Sequence, residues 1–210
     1  MFKKKPEPTI LFECDNWATR KYSPIRPAAE FVPEKFKNLP TVLHKGEFQK
    51  QNVYSVKICP GLQHYIGQGF VIPAWCDIDI KIVNDHPHVT YSDPDCNHAY
   101  HSKEQMGDFL NTRFSLQTPV KLDNPWIMYT KKGWSTTYLP MLFHENPYFE
   151  AVPGSINHDK GPGQTPINIM LKTDKDFVIK QGTPLVQVIP YPRETVVART
   201  GDISRTTSKR

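Results

Sequence analysis

No stretch of this chain approaches about 18 consecutive apolar residues, and the opening Met1-Phe2-Lys3-Lys4-Lys5-Pro6 runs straight into Glu7 and Pro8 without an apolar signal core. Neither a membrane span nor a secretory leader is expected, so the reading is a soluble chain of cytoplasmic type. A Cys-x-x-Cys pair is also missing. The four cysteines, Cys14, Cys59, Cys76 and Cys96, are scattered, which suits free thiols in a reducing compartment and small buried side chains better than a disulfide framework. Patterns that cradle phosphates are lacking too: there is no GxxxxGK[ST] and no GxGxxG. Gly61, Gly67 and Gly69 read as turn or bulge glycines, and Gly161-Pro162-Gly163 as a loop tip. Without a GxSxG elbow or a local cysteine-protease signature, nucleophilic acyl chemistry has no anchor in the sequence.

Long helical periodicity is equally scarce. Twenty prolines in 210 residues, against 11 glycines and 11% aromatics, favour many short strands joined by tight turns. The formal charge of +5 is modest and concentrated at the ends, in Lys3 to Lys5 and in Arg199, Arg205, Lys209 and Arg210. No interior basic stripe is interleaved with aromatics, so nucleic-acid contact is confined to those basic tails. Trp17, Trp75, Trp126 and Trp134 accordingly read as core or interface residues and not as a base-stacking platform.

Three regions follow. Residues 1–45 form a proline-rich N-terminal arm packed on the domain, with a short strand from Thr9 to Glu13, one helical turn from Glu34 to Asn38, and Phe31, Val32, Phe36 and Leu39 as anchors. Residues 46–194 form a β domain, and 195–210 a basic polar tail. Period-two alternation starts at Tyr54, Val56 and Ile58 and is strict in Asp77-Ile78-Asp79-Ile80-Lys81-Ile82, where one face must be buried and the other wet. Cys59-Pro60-Gly61 reads as a turn, and Gln68 to Pro73 as a further strand. Residues 84–100 read as a polar loop, and Ser102-Lys103-Glu104-Gln105 has capping-box spacing for one short helix through Leu110. Strands are then expected at Trp126 to Thr130, Ser135 to Leu139, Ile167 to Leu171, Phe177 to Ile179 and Leu185 to Tyr191. The fold class is mainly β: a single antiparallel sandwich, jelly roll or dUTPase-like β-clip domain with one short helix.

Four imidazoles and a thiol crowd into residues 86–101: His86, His88, His98, His101 and Cys96. A His-x-His on a strand puts both rings on one face, an arrangement suited to Fe, Zn or Ni. Pro87 and the flanking Asp85, Asp93 and Asp95 argue instead for a solvated loop, and His101, just before Ser102, for a structural contact at a helix start. These histidines are the candidate metal ligands, although no metal, cofactor or catalytic residue is assigned from them.

A more specific pattern runs through Pro153-Gly154-Ser155-Ile156-Asn157-His158-Asp159, Pro166-Ile167-Asn168-Ile169-Met170-Leu171 and Ile179-Lys180-Gln181-Gly182-Thr183-Pro184-Leu185-Val186-Gln187-Val188-Ile189. Residues 153–189 resemble a degenerate β segment of the dUTPase and dCTP deaminase superfamily. That resemblance implies a β-clip fold and a nucleotide pocket around Gly154, Asn157, Asp159 and Trp134. It also implies lost chemistry. Asn157 stands where the family has its water-activating Asp, Lys160 where it has its base-stacking Tyr, and Lys131-Lys132-Gly133-Trp134-Ser135 where it has an Arg-Ser phosphate motif. Asp159 is the one carboxylate near enough to substitute, and lies on the strand face of Asn157 if the hairpin stays extended.

Across residues 20–194, Pro24-Ile25-Arg26-Pro27-Ala28, Cys59-Pro60, Gly69-Phe70-Val71-Ile72-Pro73, Pro125-Trp126, Gly133-Trp134-Ser135, Pro153-Gly154, Gly182-Thr183-Pro184 and Pro190-Tyr191-Pro192-Arg193-Glu194 resemble the recurring blocks of a family of T4-like marine phages, with distant bacterial relatives and no established activity. The expectation is a non-enzymatic phage protein of the virion or the host cytoplasm, a structural or assembly component whose partners are other phage structural proteins or copies of itself. A metal-dependent enzyme on the His86, His88, His98 and His101 segment, and a nucleotide-binding module that does not hydrolyse, are the two alternatives.

Overall fold

A computed structural model describes residues 8–45, 52–106, 118–144, 146–161 and 163–201. The chain enters through β1 (Ile10–Glu13), the helix α1 (Trp17–Tyr22), β2 (Arg26–Pro27) and α2 (Glu34–Lys37). A hairpin of β3 (Val42–Lys45) and β4 (Asn52–Tyr54) leads to α3 (Pro60–Gly67). Then come β5 (Phe70–Pro73), β6 (Ile78–Val83), β7 (His86–Tyr91), β8 (His98–Tyr100) and α4 (Lys103–Met106). The remainder is strand and connection: β9 (Val120–Leu122), β10 (Ile127–Thr130), β11 (Trp134–Leu139), β12 (Phe149–Ala151), β13 (Gly154–Ile156), β14 (Gly163–Gln164), β15 (Ile167–Leu171), β16 (Phe177–Ile179) and β17 (Pro184–Pro192).

The protein is mainly β, as composition and alternation indicate, and every strand pairing among the described residues is antiparallel. A five-stranded sheet in the order β13-β11-β17-β5-β2 and a four-stranded sheet β12-β15-β9-β8 are the larger layers. Two three-stranded sheets, β16-β6-β7 and β1-β10-β14, complete the sandwich. One hydrophobic cluster draws on all four, with Ile72, Ile80, Leu122, Met128, Ile169 and Val188 fully buried in it. Strict alternation does what it should in β6: Ile78 and Ile80 are buried, while Asp79 and Lys81 face outward. Strand β1 and the α2 turn lie close to where the sequence puts them, and Phe36 is buried, stacked on Phe143 at 5.4 Å.

Three local readings need correction. Residues 84–100 are not a loop throughout. Asn84 and Asp85 both take left-handed φ, 51° and 60°, and so form a two-residue hairpin turn that carries β6 straight into β7. Pro87 is tolerated because β7 is an edge strand, where a missing N–H costs no ladder bond on the open side. Residues 56–58 leave strand geometry for a 3-10 turn. Cys59-Pro60-Gly61 starts an eight-residue helix, α3, with Pro60 in its first turn where its absent N–H would be unpaired anyway. The capping box at Ser102 is present, with Ser102 N–H donating to Gln105 Oε1 at 2.8 Å and Gln105 N–H to Ser102 Oγ at 3.3 Å. Its expected continuation to Leu110 lies outside the described residues.

Buried Gln187 joins helix to sheet. From the middle of β17 its side-chain amide donates to the carbonyls of Tyr65 and Gln68, at 2.8 and 2.6 Å, which ties the C-terminal end of α3 to the sheet. Gly69 makes that approach sterically feasible. Its φ is +74°, and a Cβ would run into the Val188 carbonyl oxygen on β17. Gly69→Ala is expected to cost about 2–4 kcal/mol. Gly61→Ala, in open space in the first turn of α3, is expected to gain about 0.4–1 kcal/mol. Urea unfolding of the two variants should move the midpoint in opposite directions at unchanged slope.

Candidate functional site

Antiparallel pairing of β11 with β13 and β17 sets Ser135 against Tyr191 and Thr136 against Ile156. The chain then leaves β13 in a tight turn, Lys160 N–H bonding back to the Asn157 carbonyl at 3.2 Å. This turn replaces the extended hairpin expected there, so Asn157 and Asp159 do not share a strand face. Hydrogen bonds bring them together instead. Ser135 Oγ donates to Asn157 Oδ1 at 2.5 Å and accepts from Arg193 at 2.9 Å, and Arg193 grips Asp159 with both guanidinium arms.

The Asp159 carboxylate is 5% exposed and fully engaged. Oδ1 accepts from Arg193 at 2.7 Å; Oδ2 accepts from Arg193 at 2.5 Å and from the Gly133 backbone N–H at 2.8 Å. The Arg193 hydrogen bonds, then the Gly133 amide, hold its pKa far below the usual carboxylate range. A carboxylate so stabilised is a poor proton acceptor, and both of its oxygens are already held by donors of the protein. Gly133, at φ +81° in the third position of the Lys131–Trp134 turn, presents its N–H where the resemblance placed a phosphate motif. The anion that takes this donor is the protein's own Asp159.

The other proposed pocket residues divide. Trp134 contributes its carbonyl, which accepts from Thr130 Oγ1 at 3.0 Å and from Arg193 at 2.9 Å. Gly154 lines a small cavity of about 90 Å³ with Tyr138, Ile156, Thr165 and Val186, whereas Asn157, Asp159 and Trp134 lie outside its lining. That volume is well under the roughly 300–1,000 Å³ of sites that enclose a small molecule. Buried His158 was not singled out by the sequence. Its Nε2 faces the Tyr138 hydroxyl at 3.0 Å and Thr165 Oγ1 at 3.4 Å, and burial lowers its basicity and keeps the ring neutral.

The four loop histidines do not converge. His86 and His88 lie on the exposed face of β7, as a His-x-His strand requires. His98 on β8 shares a 2.9 Å hydrogen bond with the Tyr100 hydroxyl, and burial lowers its basicity. His86 meets the edge of the Tyr100 ring at 6.4 Å. His101 turns away to Asn168 Oδ1 on β15, at 3.2 Å. Among the described residues no three His, Cys, Asp or Glu side chains are placed to share one metal ion.

One cavity was not foreseen. About 310 Å³ is lined by Tyr65, Leu142, Phe143, His144, Phe149 and Leu185. Phe143 sits at φ +63°, a left-handed conformation that costs a bulky residue of order 1–3 kcal/mol, and its stacking on Phe36 offsets part of this. Sequence patterns carry no signal for such a loop.

No protein-family profile matches the chain, and no curated protein is recognisably similar to it in sequence.

Asp159→Asn is expected to lower thermal stability at neutral pH. Because the folded carboxylate is the stronger acid, the stability it supplies is complete above about pH 4 and drains away as pH falls below that, towards its depressed folded value. Melting curves of wild type and Asp159→Asn should therefore converge on acidification. With dUTP or dCTP and Mg²⁺, neither protein is expected to release pyrophosphate; release that vanishes in Asp159→Asn would assign the carboxylate a catalytic role.

Proposed function

We propose that this chain is a non-enzymatic phage protein, a structural or assembly component of the particle, whose β domain presents the β3–β4 hairpin and the two chain ends to neighbouring subunits. The observation that carries the reading is the hairpin itself. Val42, Leu43, Val53, Tyr54, Val56 and Ile58 are each 37–52% exposed, an unusual density of bare apolar side chains within 17 residues. Val42 pairs with Tyr54 across the ladder, and among the described residues no third strand joins them. A two-stranded ribbon without a packed face is marginal in water, and burial against a neighbour would supply what it lacks.

Two further features support it. Residues 195–201 continue past β17 without regular structure, with Val196 and Val197 87% and 75% exposed, as suits a segment ordered only by a partner. The site that resembles a dUTPase centre is occupied by an internal Arg193–Asp159 pair, which removes the acid–base group that hydrolysis would need. The resemblance of residues 20–194 to a phage family supplies the setting.

Mass spectrometry of purified particles is expected to find the chain at fixed stoichiometry; its absence would overturn the reading. The double change Val42→Lys with Tyr54→Glu, which keeps opposite charges across the ladder, should leave unfolding within about 0.5–1 kcal/mol of wild type, since both sites are at the surface. It should also prevent incorporation into particles. Incorporation at wild-type level would exclude the hairpin as the contact.

A further inference from the structure

The scattered cysteines do not stay apart. Cys76 lies between β5 and β6 and Cys96 between β7 and β8. The β6–β7 hairpin brings the two connections together, with Ser92 N–H donating to the Asp77 carbonyl at 3.0 Å and Asp77 N–H to Ser92 Oγ at 3.0 Å. Beyond that last rung the two sulfurs face one another at 3.8 Å, and the Trp75 indole N–H donates to Cys96 Sγ at 3.2 Å. Cys76 is 5% exposed, whereas Cys96 lines an open cavity of about 380 Å³ together with Asp15, Asn16, Trp75, Asp93 and Asp95.

We propose that Cys76 and Cys96 form a redox-active dithiol that undergoes thiol–disulfide exchange with a small, cationic or neutral disulfide entering through this cavity. Cys96 is the contact sulfur, because it alone of the two reaches the cavity. Cys76 first gives its proton to solvent; the resulting thiolate takes the Cys96 proton across the 3.8 Å contact, and Cys96 Sγ attacks one sulfur of the incoming disulfide and expels the other as a thiolate. That thiolate takes the proton from Cys76, which attacks Cys96 Sγ, closes the internal disulfide and expels the second sulfur as a thiolate, which takes a proton from solvent. The protein loses two thiol hydrogens and two electrons, and the external disulfide is reduced to two thiols. The hydrogen bond from Cys96 lowers the Cys76 thiol against the opposing effect of burial, which favours the resolving attack; the same contact, with burial, raises Cys96. Asp15, Asp93 and Asp95 around the entrance select against anionic disulfides by simple repulsion.

The test uses the folded chain carrying Cys59→Ser, which removes the exposed thiol that would otherwise compete. It is treated with cystamine or with oxidised glutathione at low salt, then alkylated and mapped by mass spectrometry. The expected product is a chain lighter by two hydrogens, with the Cys76 and Cys96 peptides linked, reversible by dithiothreitol and absent when Cys96→Ser is added. Cystamine should react about tenfold faster than glutathione disulfide, with the difference shrinking as salt rises. Four outcomes overturn the proposal: both thiols remaining free, a cysteamine adduct that persists on Cys96 without closing the ring, a link between other cysteines, or glutathione disulfide reacting as fast as cystamine.

Discussion

The Arg193–Asp159 pair fixes the geometry of one corner of the fold by joining three segments distant in sequence. Arg193 follows the last residue of β17, Asp159 lies in the turn after β13, and Gly133 caps the connection into β11. With the carboxylate nearly buried and the guanidinium 27% exposed, the charge is neutralised where water cannot do it, and the bidentate geometry sets both distance and angle. Ser135 accepts from the same guanidinium and donates in turn to Asn157, so four polar side chains form one network. This closure commits the Asp159 carboxylate and the Gly133 N–H to holding the protein together.

Stability is distributed unevenly around this corner. The central strands β11, β17 and β5 sit between fully buried rows, with Gln187 tying α3 to them through two carbonyls. The β3–β4 ribbon, by contrast, has exposed apolar side chains, and among the described residues no third strand pairs with it. An arrangement that packs its core well and leaves one ribbon bare has put its unspent hydrophobic surface where a neighbour could use it.

The cysteine pair belongs to a different part of the molecule, at the open end of the β6–β7 hairpin. Cys76 and Cys96 are 20 positions apart, and a two-residue turn at Asn84-Asp85 is what brings them into register. Had residues 84–100 been the irregular loop that their Asp, His and Pro content suggests, the two thiols would have no reason to meet.

Much of the fold was written locally. Alternation in Asp77–Ile82, the apolar runs at Ile167–Leu171 and Leu185–Tyr191, and the capping box at Ser102 each determine a periodicity or a cap within a few residues, so the sequence determined the mainly β class and most strand positions. Where the reading failed, the deciding force was not local. Proline in β7 is acceptable only because β7 ends a sheet, and Pro60 opens a helix only because Gln187 and the close approach at Gly69 receive its far end. The candidate site shows the same division. Residue identity alone told that Asn157 cannot act as a base, whereas the fate of Asp159 depended on Arg193, 34 positions away. A carboxylate's chemistry is set by the charges and donors within a few ångströms, and only the tertiary structure decides which those are.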